Sequence, residues 1–384
     1  MIVGTDIRHL ASGPLTGVGN VTRALIPALA DVLDNAELEV FYVGRHTPPT
    51  FVSTWPKHHP NCRLRTVHMS NRLFDVLTVN QMLPGSLWES FTAQDVYLST
   101  HMLPVPKMRT PRILVLHDLS FVRHPEFFTH RRRSWHARIR PRAQAERAAA
   151  LIVPSEATAR DAVDLWNIPQ KRIHVIPWGA PVMDHGSWIM DRKQKRSESS
   201  TRTILFLGTI EKRKNVLGLI RAFALLKQRA GAEDARLVLA GDLGWGSREA
   251  KSWIMGHGSW VKERIELRGY VTEEEKAELL SKAAVFVCPS FYEGSGLPVL
   301  EAMAAGVPCV VSNRTALPEI SGGAALLVDP DRQDEIAQAM HAVLDDTALA
   351  NILAERGRAR AAQFTWEKTA TQVAEILRTV ARRP

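Results

Sequence analysis

Short apolar runs of strand length alternate with longer segments of helical periodicity along most of this chain, and that alternation limits the folds open to it. EVFYV (39–43), ILVLHD (113–118), LIVPS (151–155), TILFLG (203–208), RLVLAG (236–241), IELRG (265–269) and VFVCPS (285–290) read as buried strands ending in polar loops. Between them VTRALIPALADVL, ATARDAVDLWNI, NVLGLIRAFALLKQ and TEEEKAELLSKA place apolar residues three and four apart, the spacing of one helix face. Strands apolar along their whole length and separated by helices belong to parallel sheets covered on both sides. The expected class is α/β, doubly wound.

The chain has 384 residues, more than the roughly 250–300 at which one core stops growing. The β/α pattern breaks once, at MDHGSWIMDRKQKRSESSTR (183–202), which is polar, charged and aperiodic. A linker there separates a first domain, 1–182, from a second, 203–364, both Rossmann-like. The last segment, 365–384, reads as an amphipathic helix expected to pack back on the first domain. Two such lobes make the cleft that they face the natural ligand site.

Composition excludes several classes. Apolar residues at 45% and charged ones at 23% are ordinary globular values, not those of a disordered or fibrous chain. No apolar run approaches the roughly 18 residues of a membrane-spanning helix. The start, MIVGTDIRHL, lacks a secretory signal, so cytoplasmic residence is expected. Cys62, Cys288 and Cys309 are too scattered for a disulfide framework or a paired metal motif and are expected to be buried, inert thiols. The net charge of +9 predicts an anionic partner. Nucleic acid is not that partner: stacking aromatics interleaved with basic residues are its signature, and aromatics make up only 7%. The charge is concentrated in 127–147, where Arg131, Arg132, Arg133, Arg138, Arg140, Arg142 and Arg147 face one acid.

Four segments carry candidate chemistry. In FYEGSGLPVLEAMAAGVPCVV (291–311) a strand gives way to a loop with Gly294, Ser295 and Gly296, and then to a helix begun by Leu297 and Pro298 and stopped by Gly306. Its loop amides suit an anion. Glu293 and Glu301 would repel phosphate and suit sugar hydroxyls, although isolated acids at these positions are ordinarily a solvated turn residue and a helix-dipole partner. In LGTIEKRKN, Arg213 and Lys214 stand where a strand-end loop enters a helix, well placed to neutralise a diphosphate or else simply solvated. In the N-terminal segment Gly17 and Gly19 read as a loop between the first strand and helix. The third glycine of a dinucleotide fingerprint is replaced by Thr22, which argues against an NAD-dependent oxidoreductase. In LVLHDLSFVRHPEFF, His117 and Asp118 end a strand at the functional edge of a sheet, where a capping Asp beside a core His is the plainer alternative.

Together these segments resemble the retaining glycosyltransferases of family 4, which have the GT-B fold. The likeness rests on E-x7-E at Glu293 and Glu301, R-K-N at Arg213 to Asn215, the G-x-G at Gly17 to Gly19, HD at 117–118, VPSEATARD, KRIHVIPWGAP and the closing FTWEKTA. LHDLSFVRHPEFF and LGTIEKRKN are most similar to bacterial mannosyl- and rhamnosyltransferases of surface polysaccharide synthesis. The resemblance implies that Arg213 and Lys214 bind the donor diphosphate, with Gly17 and Gly19 approaching it. Glu301 would hold the ribose, and Glu293 with Gly294, Ser295, Gly296 and Leu297 the donor sugar and distal phosphate. His117 would touch the donor sugar, Glu293, His117 and Asp118 would be the catalytic residues, and the backbone of Tyr270 and Val271 would meet the nucleobase. The substrate implied is a nucleotide sugar, GDP-mannose by subfamily, with UDP-sugars, ADP-sugars and GDP-rhamnose as alternatives. A nucleotide-sugar epimerase or hydrolase would share the fold. No cofactor and no catalytic metal are expected. The acceptor would be lipid-linked or an oligosaccharide, and the Arg-rich 127–147 segment, with Phe127, Phe128 and Trp135, would dock on the anionic cytoplasmic face of the inner membrane.

Overall fold

A computed structural model describes residues 1–11, 15, 17–80, 82–83, 93–105, 108–180, 202–229, 231–244 and 246–382. The chain forms two compact units. The first comprises Met1–Arg123, His130–Gly179 and Trp366–Pro384, and the second His124–Thr129 and Ala180–Thr365. The linker read at 183–202 lies outside the described residues except for Arg202, which opens a strand.

The first unit is built on a parallel sheet of β1 (Ile2–Asp6), β2 (Glu37–Gly44), β3 (Cys62–His68), β4 (Val96–Ser99), β5 (Arg112–Val115), β6 (Ala150–Val153) and β7 (Ile173–Val175), in the order β3-β2-β1-β4-β5-β6-β7. The second has β8 (Arg202–Leu207), β9 (Ala235–Ala240), β10 (Ile265–Gly269), β11 (Ala283–Cys288), β12 (Cys309–Ser312) and β13 (Leu326–Val328), in the order β10-β9-β8-β11-β12-β13. Every strand pair in both sheets is parallel. The strands are apolar throughout because both faces are covered. Along β8, Ile204 and Phe206 enter one core cluster and Leu205 and Leu207 another. Each such side chain contributes about 1.5–3 kcal/mol by leaving water.

The helices begin where the sequence offers caps. Ser155 accepts from the Thr158 N–H to open Glu156–Trp166, and Thr272 with Glu275 forms a reciprocal capping box on Glu273–Lys282. The terminal helix Trp366–Ala381 lies on helix Gly17–Val32 of the first unit. Its Ala370, Val373, Ala374, Leu377 and Val380 are buried, and Arg378 donates to the Val32 carbonyl at 3.0 Å. All three cysteines are buried and free, and burial pushes the Cys62 and Cys288 thiols up to about 11.

Two readings are corrected here. Gly17 and Gly19 are not in a loop: they open the helix Gly17–Val32, and Gly19 is packed against Leu15. The Arg-rich segment is not one continuous face with Phe127, Phe128 and Trp135. Phe127 and Phe128 cluster with the second unit, where Phe127 stacks on Phe291 at 5.7 Å, while Trp135 packs on the core of the first unit. Burial of apolar rings outweighs their neighbours' charge.

Candidate active site

In the second sheet the strand order reverses between β8 and β11, so the loops after them leave in opposite directions and open a crevice at their carboxyl ends. Arg213 and Lys214 follow β8, and Glu293 follows β11. The structure brings these three into one ion-paired cluster. Lys214 Nζ donates to Glu293 Oε1 at 2.6 Å and Arg213 NH1 to Oε2 at 3.1 Å. Arg213 is fixed further by the Tyr292 carbonyl at 2.7 Å and by Glu211 at 2.8 Å. The Phe291 N–H donates to the Arg213 carbonyl at 2.9 Å, which ties the two loops through backbone as well.

Glu293 is 7% exposed. Burial alone would raise its pKa, but the Lys214 and Arg213 charges and the hydrogen bonds from Lys214 and Ser290 prevail and hold it at about 2. Ser290, at the end of the β11 run, donates to Oε1 at 2.7 Å. Thr315 accepts from the Glu293 N–H at 2.9 Å. It does so with φ at 56°, a conformation that β-branched residues rarely adopt. Asn215, also left-handed, anchors the other loop by donating to the Pro330 carbonyl at 2.7 Å. The floor is tight: Gly208 and Gly241 have φ near +145°, and a Cβ on Gly241 would lie 2.1 Å from the Gly208 carbonyl oxygen.

Gly294, Ser295 and Gly296 form the turn into helix Leu297–Ala304, with Gly296 left-handed at the N-cap and Pro298 in the first turn. Glu301 lies on that helix, paired with Lys276 at 2.8 Å, and Lys276 also holds Glu273 at 2.8 Å. Burial raises the Glu301 carboxyl, and the Lys276 charge opposes that only in part. Tyr270 is 52% exposed after β10, and Val271 packs on the core.

In the first unit the order reverses between β1 and β4. His117 follows β5, and its Nε2 lies 2.8 Å from the Thr100 carbonyl. Its ring meets His101 and Trp178 at 6.3 and 5.8 Å between centroids, and His9 meets His101 at 5.4 Å. Burial lowers the pKa of all three histidines, His9 to about 3. Asp118 accepts from the Ser120 N–H at 2.9 Å and from its hydroxyl at 2.6 Å, and so caps the short helix Ser120–Arg123. Beneath them Arg8 is locked by Asp6 at 3.1 Å and Asp75 at 3.4 Å.

Sequence reasoning did not find Lys276, Ser290, Thr315, His9 or His101. Ser290 stood in the quoted β11 run. The others gave no local sign, because only the folded sheet edges make them neighbours.

Comparison with known proteins agrees with this architecture. The family model for glycosyltransferase family 4 matches residues 15–182, and that for glycosyl transferases group 1 matches residues 189–360. The O-antigen chain mannosyltransferase B of Escherichia coli is 28% identical over 94% of this chain and 95% of its own. The serotype-specific mannosyltransferase WbdA of the same organism is 25% identical over 93% of this chain, which spans 43% of that longer protein. Among solved structures, sucrose-phosphate synthase from Thermosynechococcus elongatus superposes with a TM-score of 0.74, at 22% identity, over 99% of this chain and 98% of its own. The chain is a glycosyltransferase, with a family 4 domain over residues 15–182 and a group 1 domain over residues 189–360, on the two parallel-sheet α/β lobes of the GT-B fold.

Proposed function

We propose that the chain transfers mannose from GDP-mannose to a saccharide or lipid-linked acceptor in the assembly of a bacterial surface polysaccharide, with retention of configuration and without a divalent metal. The observation that carries this reading is the buried Arg213–Lys214–Glu293 cluster at the strand-order switch of the second unit. The mannosyltransferase relatives support the sugar.

As the anomeric bond breaks, negative charge grows on the leaving diphosphate. Cations already fixed beside it stabilise that charge without reorganising, and one such donor is worth about 3–4 kcal/mol. Arg213 and Lys214 take this role. Glu293, ionised at neutral pH, is no proton donor: it aims the two cations and accepts from a hydroxyl of the donor sugar. Loop amides of Gly294 to Leu297 receive the distal phosphate, Glu301 the ribose, and the backbone of Tyr270 and Val271 the base. In a front-face step the acceptor oxygen bonds the anomeric carbon as the carbon–phosphate-oxygen bond breaks. The acceptor's proton passes to that departing oxygen. His117, neutral, hydrogen-bonds the donor sugar, with Asp118 holding its strand end and Gly17, at the open start of its helix, allowing close approach. Exposed arginines of 130–147 bring the enzyme to an anionic cytoplasmic membrane surface.

Thermal-shift screening against GDP-, UDP- and ADP-sugars tests the donor, since stabilisation follows RT ln(1 + [L]/Kd). GDP-mannose is expected to give the largest shift, undiminished by a chelator, and NMR of the product to show the donor's anomeric configuration. Stabilisation by UDP-sugars alone overturns the donor, and equal donor breakdown with and without acceptor overturns transfer.

A further inference from the structure

The first unit contains a cavity of about 640 Å³ walled in part by Arg109, Arg112, Arg140 and Arg147, with no carboxylate among its described lining residues. Such a gathering of like charge is unfavourable unless something negative offsets it. Nothing in the described structure does so: none of the four arginines is in an ion pair with a described residue, whereas neighbouring Arg142 is paired with Glu146 at 2.8 Å. Arg112 is 9% exposed, and its guanidinium is held by a neutral partner, donating to Gln144 Oε1 at 3.3 Å and to the Gln144 carbonyl at 2.7 Å. Burial, with the Arg147 charge adding to it, lowers the Arg112 pKa to about 10. Thr78, also in the wall, has a buried hydroxyl with no hydrogen-bond partner among the described residues.

The rest of the wall is apolar and includes Val79, Val105, Met108 and Ile139. Val79 belongs to helix Asn71–Val79, which buries Phe74 and Thr78 on one face. The opposite face presents Leu73, Val76 and Val79 to solvent at 50, 41 and 42% exposure, and Met82 beyond it is 67% exposed. Residues three apart share a helix face, so an apolar stripe runs up to the arginine cavity through Val79.

We propose that this cavity takes the phosphate-bearing headgroup of an anionic membrane lipid, with the Leu73–Met82 stripe resting in the acyl boundary beside it. Guanidinium groups bind phosphate oxygens in pairs and are weakly hydrated, which suits a half-buried site. An amphipathic surface of this kind, apolar beside cationic, is what lies in a lipid interface. A free phosphate needs neither the apolar wall nor the stripe. The inference rests on the membrane part of the reading above and is independent of donor and sugar.

The test is sedimentation of the full chain with vesicles of phosphatidylcholine alone and of phosphatidylcholine with phosphatidylglycerol. Wild type is expected to favour the anionic vesicles by at least about a hundredfold, from about 1 kcal/mol for each cavity arginine. Arg109→Ala with Arg147→Ala, both exposed and safe for folding, is expected to lose about thirtyfold of that binding, from about 1 kcal/mol per arginine. A control pair outside the cavity, Arg131→Ala with Arg133→Ala, is expected to lose several-fold less. Both pairs should melt as wild type does, which shows that they fold. Equal losses in the two pairs would mean diffuse charge and overturn the site. Inorganic pyrophosphate binding tightly to a chain that ignores anionic vesicles would make it a free-anion site and overturn the lipid. Indifference of wild type to vesicle charge removes the membrane reading and this proposal together. Failure of the donor reading shows separately, as absent nucleotide-sugar stabilisation with the vesicle results intact.

Discussion

The two units share one architecture, a parallel sheet whose strand order reverses near its middle, and they equip that reversal with different chemistry. Between β8 and β11 the second unit gathers fixed charge: two cations, one carboxylate ionised down to about pH 2, and the backbone that clamps them. Near the β1–β4 reversal the first unit gathers imidazoles that burial keeps neutral, with hydroxyls of Thr5, Ser99 and Thr100 that have no hydrogen-bond partner among the described residues. Its one buried cation there, Arg8, is closed off by two aspartates and the Pro104 carbonyl. Fixed cations stabilise an anion, and neutral donors and acceptors match hydroxyls at a lower desolvation cost. The same fold edge thus carries fixed charge in one unit and neutral polar groups in the other, the contrast on which the proposed diphosphate and sugar contacts rest.

Lys214→Ala is the largest test of that contrast. It removes the shorter of the two cation contacts to Glu293 and should weaken GDP binding by about 100-fold in calorimetry, as expected for a charged hydrogen bond of 1.5–3 kcal/mol. It also leaves Glu293 buried with one partner fewer, a loss of about 3–5 kcal/mol in stability, so melting is read alongside. Unchanged GDP affinity in a folded variant would break the comparison. Glu293→Gln separates binding from turnover. The two cations keep their places while losing their internal counter-charge, so GDP should bind at least as well while transfer falls about 100-fold. Weaker GDP binding would mean that Glu293 acts as a scaffold alone.

Acid separates the units by window. A group whose folded pKa is depressed contributes stability above its unfolded pKa and loses it as the pH falls towards the folded one. For the buried His9, His101 and His117 of the first unit that loss begins below about 6.5. For Glu293 it runs from 4.5 towards 2 and amounts to about 3 kcal/mol. Glu301, raised by burial, has the opposite sign: its ionisation costs stability as the pH rises, and acid relieves it. Hydrogen exchange read peptide by peptide, corrected for intrinsic rate, should show the core around His101 and His117 loosening below pH 6.5 while β8 and β11 hold until about 4.5. The reverse order would show that the fixed charges, not the neutral imidazoles, are the acid-sensitive group.

Much of this was legible in the sequence, and what was not has a physical reason. The β8, β9, β10 and β11 runs announced themselves because strands covered on both faces are apolar throughout. Pro298 and Gly306 marked both ends of one helix because proline fits its first turn and glycine its stop. Arg213, Lys214 and Glu293 could be singled out by their places after strands, but not their direct pairing, which spans some 80 residues of chain and depends on β8 lying beside β11. Lys276 sat in a helix whose other charges are ordinary surface. Gly17 and Gly19 misled because glycine pairs suit loops, whereas here Gly19 gives room to Leu15 and Leu10 at a helix start. Trp135 misled because its arginine neighbours point to solvent while its own ring turns to the core.

The smallest effect probes how finely the charged region is set. Ser290 supplies one of the hydrogen bonds to Glu293 Oε1, on the atom that also receives Lys214. Ser290→Ala leaves both ion pairs and removes a donor worth about 1 kcal/mol. The carboxylate should then swing with Lys214 more freely, and its pKa should rise from about 2 while staying acidic. Because Lys214, which the proposed mechanism sets against the leaving group, is then less well aimed, kcat should fall about three- to tenfold with KM for the donor nearly constant, the pattern of an interaction felt chiefly in the transition state. Ser290→Thr, which keeps the hydroxyl, should restore most of the rate if its methyl is accommodated. A fall in donor affinity with kcat intact would instead make Ser290 a support for the ground-state complex, and the aim of Lys214 would then depend on Glu293 alone.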